Sequence, residues 1–395
     1  MGDLMEAGDF IGQRLGVNHT GVRAHNERLV LSLIHRDGAL PGAEIAKRID
    51  LSAQTVSTIL RKLETDGFLL RGTPQRGRVG KPSLPMGINP DGAISFGLKI
   101  GHRTSDLVMM ALDGQVLAQG QSTYAAPTPQ LILQFLRDGI AKMSQQLSPA
   151  QRQRLCGIGI TAPLDLWRAV DNQPLAAARF PEWVGCQLID DVARFSPLPV
   201  SLINDGTAAC CAEQNYGRGR EVADFAYVFL GSFLTGGISL NGTVVEGNRH
   251  NAGMLGALRI LSTQGTLATL RDEASIFLLE AAIRSNGMDA GAMWQMPQDW
   301  TPYDTLLGPW LDRSAHAIAQ AARESCAVVD FQAIVIDGAF PEEVRAELVR
   351  QVREKLAALD MNGLLPPDVL EARTGHNARA IGAAAAPIFS RFFLN

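Results

Sequence analysis

The sequence lacks paired cysteines and long apolar runs. Its five cysteines, Cys156, Cys186, Cys210, Cys211 and Cys326, form no CxxC pair and have no histidine at metal-ligand spacing. That pattern argues against a disulfide framework and against a zinc site, and it suits buried free thiols in a reducing compartment. No run of 18 or more uncharged apolar residues occurs, and the opening "MGDLMEAGDF" has neither the basic stretch nor the apolar core of a secretory leader. A cytoplasmic protein without a membrane partner is expected. What is present is bulk: 395 residues, 46% of them apolar, exceed one ordinary core and imply two or three domains.

Charge is unevenly spread. Residues 23–83 hold eleven Lys or Arg and six Asp or Glu, a net +5, which leaves −9 for the remainder of a chain of net −4. One end suits a polyanion and the rest does not.

In that basic segment Val22, Leu29, Val30, Leu33 and Ile34 recur at helical spacing, and Gly38 marks a stop. "PGAEIAKRID" predicts a short second helix opened by Pro41. "SAQTVSTILRKLETDG" predicts a third, capped by Ser52 and closed by Gly67. Three short helices in this order predict a helix-turn-helix. On the third, Val56, Ile59, Leu60 and Leu63 make an apolar stripe, while Gln54, Thr55, Ser57, Thr58 and Arg61 lie largely on other faces. With Ser52, these short polar groups and the arginine can reach base edges in a major groove; a solvated helix face is the plain alternative. "FLLRGTPQRGRVGKPS" follows as a strand and a Gly/Pro-rich ribbon carrying Arg71, Arg76, Arg78 and Lys81 with no acid between them. It predicts a wing that touches phosphates or a minor groove. The expected division is a tail over 1–21, a winged helix-turn-helix over 22–90 and a large region over 91–395.

The large region opens with the predicted strands "AISFGLKIGH", "SDLVMMALDG" and "QVLAQGQSTY". An amphipathic helix, "PQLILQFLRDGIAKMSQQL", and the strands "RLCGIGITAP" and "LPVSLIND" come next, and then the helix starting at "GTAACCAEQN". The pattern restarts with the strands "DFAYVFLGS", "GGISLNGTVVEG" and "DFQAIVIDGAF" and the helices "IFLLEAAIRS", "LDRSAHAIAQAARESCAVV" and "PEEVRAELVRQVREKLAAL". Two α/β lobes follow, about 91–205 with the C-terminal helix and about 206–378, with a ligand cleft between them.

The order of a winged helix, "GLKIG…LDGQVL", "GIGITAP", "LINDGTAACCAE", "GGISLNGTVVEGN" and "ARAIGAAAAPIF" resembles the ROK family of repressors and sugar kinases over nearly the whole chain. The resemblance implies two actin-like, RNase H-type lobes closing on a sugar. It places Asp205 on the catalytic base of the family's kinases and Asn204 on a ligand of a sugar hydroxyl; a helix cap is the other role open to Asp205. The family's Asp-x-Gly-Gly-Thr phosphate loop is matched here by Lys99, Gly101, His102 and Arg103, and Phe233 and Leu234 replace small residues of a second glycine-rich loop. The family's Glu-x-Gly-His corresponds to "MLGA", Met254–Ala257, and the cysteine-rich zinc motif after it is missing.

These departures imply a chain with no catalytic residue, metal or cofactor, whose cleft binds a small sugar or sugar derivative through Asn204, Asp205, Arg179 and Met254. Arg179 takes the place of a family Asn, and gain of that cation with loss of a carboxylate favours an anionic effector; pairing with Glu182 or exposure to solvent is the alternative. The expected function is a ligand-responsive regulator, probable repressor activity on carbohydrate genes being exerted on an operator by a homodimer or homotetramer. An ATP-dependent sugar kinase with a fused DNA-binding module is the rival.

Overall fold

The computed structural model describes residues 19–73 and 84–394. The N-terminal unit is a winged helix: α1 (His19–Asp37), β1 (Leu40–Pro41), α2 (Gly42–Arg48), α3 (Ala53–Thr65), β2 (Leu69–Arg71) and β3 (Pro85–Ile88). The strands form one antiparallel sheet in the order β1-β3-β2. The expected stripe Val56, Ile59, Leu60 and Leu63 is buried. Helix α1 begins at His19, inside the stretch expected to be tail.

Two lobes follow with the same strand topology. The first sheet contains β4 (Ile94–Ile100), β5 (Thr104–Ala111), β6 (Val116–Thr123), β7 (Leu155–Ala162) and β8 (Val200–Asn204), in the order β6-β5-β4-β7-β8. Helices α4 (Pro129–Ser144), α5 (Pro149–Arg152), α6 (Leu164–Val170), α7 (Pro174–Arg179) and α8 (Leu188–Ala193) lie between its strands in sequence, and α9 (Asp205–Tyr216) leaves it.

The second sheet contains β9 (Phe225–Leu230), β10 (Leu234–Leu240), β11 (Thr243–Val244), β14 (Ala333–Gly338) and β15 (Asp368–Glu371), in the order β11-β10-β9-β14-β15. In both sheets the first three strands are antiparallel and the last two join in parallel. A small hairpin, β12 (Arg259–Leu261) and β13 (Leu267–Thr269), precedes α10 (Leu270–Ala274) and α11 (Ile276–Ser285). It occupies the segment where the family resemblance led one to look for a zinc motif. Helix α12 (Asp304–Cys326) starts seven residues before the expected Leu311, because Pro309 sits inside the helix where a proline ordinarily breaks the pattern. Helices α13 (Glu342–Ala357) and α14 (Ala378–Phe392) complete the chain's regular structure.

The alanine-rich sequences of α9 and α14 are explained by how closely they pack. A Cβ built on Gly382 of α14 would stand 1.7 Å from the carbonyl oxygen of Ala208 on α9, and one on Gly159 of β7 would stand 1.7 Å from that of Ala383. Neither position can hold a side chain, so backbone meets backbone and the helices have no slack against each other or the sheet.

The boundary near residue 90 separates elements but not cores. Val30, Ile34, Ile45 and Leu69 of the winged helix share one buried cluster with Val108, Met110 and Leu112 of the first lobe and Ala384, Ile388 and Phe393 of the C-terminal segment. Arg28 donates through Nε to the Phe393 carbonyl at 2.7 Å, and the Leu394 amide donates to Ser32 Oγ at 2.8 Å. His35 is packed among Tyr216, Phe389 and Phe393, with ring centroids 5.4, 5.4 and 4.9 Å away.

Burial, aided by the charge of Arg220 and opposed by a hydrogen bond at the Asn215 backbone, brings the His35 imidazole down to about 4. Its folded value lies below the unfolded value of about 6.5, so its contribution is full above pH 6.5 and is lost as pH falls through 4. At pH 5 this linkage costs about 2 kcal/mol. Replacing His35 with Phe should therefore flatten the decline in melting temperature between pH 7 and pH 5, measured by calorimetry alongside the unaltered protein.

Candidate functional site

The cleft is built where β8 gives way to α9. Asn204, not Asp205, is the cap of that helix: its Oδ1 accepts from the amides of Gly206 at 3.0 Å and Thr207 at 3.4 Å. Its amide Nδ2 is buried without a partner, and Asn204 does not line the cavity. Asp205 is thereby left to face the cleft. The Asp205 carboxylate accepts from Thr235 Oγ1 at 3.4 Å, and Oδ2 stands 3.7 Å from Nη1 of Arg379 in the first turn of α14. Arg379 is 6% exposed and stacks over Phe229. Thr235 and Arg379 thus both face the Asp205 carboxylate inside the cleft.

The place of the phosphate loop is occupied. Lys99 Nζ donates to the Thr104 carbonyl at 3.0 Å, to Thr104 Oγ1 at 2.6 Å and to Asp106 Oδ2 at 2.9 Å, and Gln121 donates to the other Asp106 oxygen. Burial lowers Lys99 to about 8 against the opposing pull of Asp106. Burial pushes Asp106 upward, yet the charge and hydrogen bond of Lys99 hold it below the usual carboxylate range. The Asp106 direction is the one an ion pair gives, while for Lys99 burial outweighs the carboxylate beside it. His102 packs on Phe180 and edge-on to Phe233, which comes from the β9–β10 turn of the other lobe. Burial, then the charges of Arg179, Arg379, Lys99 and Arg103, bring His102 to about 3, so it is neutral. Arg103 Nε reaches Glu280 Oε1 on α11 at 2.9 Å, a second link between the lobes.

Between these links lies a cavity of about 40 Å³, whose wall includes Asp205, Met254, Arg271 and Arg379. That is room for a few waters, and the His102–Phe233 contact stands in the same wall. Met254 is where the sequence placed it. Arg179 is not: it ends α7, stacks on Phe180 and Phe233 with centroid distances of 5.5 and 5.0 Å, and pairs with Asp165 at 3.5 Å. Its partner is therefore Asp165 rather than Glu182, and it lies outside the cavity wall. Arg379, Arg271 and Thr235 are among the wall residues that sequence reasoning missed. The signal for Arg379 was a lone charge in the otherwise apolar "ARAIGAAAAPIF", a place where a charge survives only with a partner. Among the described residues no group of three or more His, Cys, Asp or Glu is placed to hold a metal.

The second candidate surface is α3. Ser52 Oγ accepts from the Thr55 amide at 3.1 Å and meets Thr55 Oγ1 at 2.8 Å, so both hydroxyls are partly committed to the cap. Thr58 Oγ1 donates to the Gln54 carbonyl at 3.0 Å. Gln54, Thr55, Ser57, Thr58 and Arg61 are all exposed on one stretch of the helix. Arg71 is engaged: its guanidinium holds Glu64 of α3 through bonds of 2.6 and 2.8 Å, anchoring β2 to the helix. Arg76, Arg78 and Lys81 lie outside the described residues.

Helices α9 and α14 join the two surfaces. They begin at Asp205 and beside Arg379 in the cleft, and their far ends bring Tyr216, Phe389 and Phe393 onto His35 of α1.

Fold and site together define a two-lobed, actin-like α/β domain of the sugar-kinase type joined to a winged helix. Residues 95–267 match the ROK family model and residues 23–69 a winged helix-turn-helix DNA-binding model. It is 23% identical over 295 residues to a xylose repressor of Caldicellulosiruptor bescii, covering 72% of this chain and 73% of that one. It is 24% identical to an N-acetylmannosamine kinase of Shigella boydii, covering 73% of this chain and 97% of the kinase. The solved structure of a ROK family transcriptional regulator, a homologue of the E. coli MLC protein, superposes with a TM-score of 0.65 at 18% identity over 94% of this chain and 98% of its own.

Removing the ammonium of Lys99 leaves the Asp106 carboxylate buried without its counter-ion. Lys99→Met should lose about 3–5 kcal/mol in urea unfolding, and Lys99→Met with Asp106→Leu should recover most of that loss.

Proposed function

We propose that this protein is a DNA-binding repressor of carbohydrate uptake or catabolism genes, acting in the cytoplasm as a homodimer or homotetramer and answering to a small sugar-type effector between its lobes. One observation carries the proposal: α9 and α14 start at the cleft and end against the winged helix, packed without slack at Gly382. A ligand that parts or closes the lobes shifts the seat of α3, and its effect on DNA affinity equals its own preference between the two lobe arrangements. The similarity to a xylose repressor supports a sugar-type effector, and the matched winged helix-turn-helix supports duplex DNA as partner. Two copies on a two-fold operator would set the half-site spacing.

The kinase relative and the position of Asp205 favour a second function, ATP-dependent sugar phosphorylation. Against it stand Arg379 beside Asp205, Lys99 at the phosphate loop and Phe233 over His102. A coupled assay of ATP consumption over a sugar panel separates the two; robust turnover abolished by Asp205→Asn replaces the repressor with the kinase.

The DNA end gives two further outcomes, both read by fluorescence anisotropy at several salt concentrations. Replacing Arg76 and Arg78 together with Ala should weaken binding to every sequence and reduce the slope of log K against log salt by about 2. Gln54→Ala or Thr55→Ala should instead change which sequence is preferred and leave the slope unaltered.

A further inference from the structure

The cavity between the lobes has an excess of positive charge. Its wall carries four cations, Lys99, Arg103, Arg271 and Arg379, against two carboxylates, Asp165 and Asp205. Lys99 is committed to Asp106 at 2.9 Å and Arg103 to Glu280 at 2.9 Å, while Asp165 is shared with Arg179 at 3.5 Å. Arg379 is less satisfied: it stands 3.7 Å from Asp205, beyond hydrogen-bond length, and its buried Nε has no partner. Arg271 of α10 lies over Phe233 with its Cζ 5.6 Å from the ring centroid, and among the described residues no carboxylate lies within 4.0 Å of it. A buried guanidinium N–H without an acceptor is costly, and the planar fork of arginine matches the oxygens of a carboxylate or phosphate.

Resting on the cleft as the effector site, we infer that its ligand is a small polyhydroxy compound bearing one anionic group, a carboxylate or a phosphate monoester, held by Arg271 and Arg379. The hydroxyls of Ser232 and Thr235 on the same wall are suited to the sugar hydroxyls. His102 on the same wall is kept neutral first by burial and then by the charges of Arg179, Arg379, Lys99 and Arg103. Phe233 touches both His102 and the Arg271 guanidinium, so a shift of its ring would free a face of Arg271.

The test is calorimetry on the full chain with matched sets built on glucose, galactose, mannose and xylose: the parent sugar, its uronic or aldonic acid, and its phosphate monoester, with inorganic phosphate as the bare anion. In at least one set the acid or the phosphate should bind ten-fold or more tightly than the parent sugar and than inorganic phosphate. The arm that binds identifies which anion is meant. Arg271→Gln should lower that affinity ten-fold or more. Arg379→Lys keeps the charge without the fork and should also weaken it, with the unfolding midpoint checked to confirm an intact fold.

A parent sugar that binds as tightly as its charged forms, inorganic phosphate that binds as tightly as either, an absence of binding across the sets, or full affinity in Arg271→Gln overturns the inference. Operator release measured in parallel keeps the two proposals apart. A neutral sugar that releases DNA preserves the repressor and removes the anionic ligand. A charged derivative that binds through Arg271 without altering DNA affinity does the reverse.

Discussion

The structure depends on a contact with no side chain in it. Gly382 lets α14 lie with its backbone against Ala208 of α9, and Gly159 lets the first sheet come equally close on the other side. Because α9 packs on the second lobe's β10 and α14 on the first lobe's β4 and β7, this seam is where the lobes are joined. Interiors packed at this density respond to a push by moving as a body rather than by yielding. The cleft at one end of the seam and the winged helix at the other are therefore parts of one mechanical object.

The cleft shows how a phosphate-handling site can be filled from within. The Lys99 ammonium is bound to Asp106, and His102 and Phe233 meet across the opening from opposite lobes. Each replacement is also a structural gain: an ion pair with its hydrogen bonds satisfied, an aromatic contact, and the Arg103–Glu280 bridge between lobes. Asp205 remains, but with Arg379 beside it.

The elements set by local chemistry were legible in the chain. The Ser52 cap, the apolar stripe of α3, the strand β2, the strands of the first lobe and β9, β10 and β14 of the second follow from capping residues, periodicity and turn residues that act within a few positions, whereas β1, β3 and β15 did not stand out. Phe233 and His102 were also readable as departures, because a bulky residue in a glycine loop is visible without knowing its neighbours. The cavity wall was not. Whether an arginine enters a cleft depends on pairs distant in sequence: Arg179 looked right by position and is turned aside by Asp165, while Arg379 comes from a helix more than 170 residues after Asp205. The same holds for the cap, since Asn204 and Asp205 both suit the role and only the observed bonds to Gly206 and Thr207 distinguish them.

The bonds from Arg28 and Ser32 to residues 393 and 394 have a consequence for how the protein is made. They span 365 and 362 positions, so the core beneath the DNA-facing helix has to await a segment synthesised long after α1. Contacts of that span are late and slow to close, and the loop entropy is paid before they form. A nascent winged helix thus emerges with Val30, Ile34 and His35 still lacking the C-terminal residues that complete their cluster, so its core is finished only when the last helix arrives.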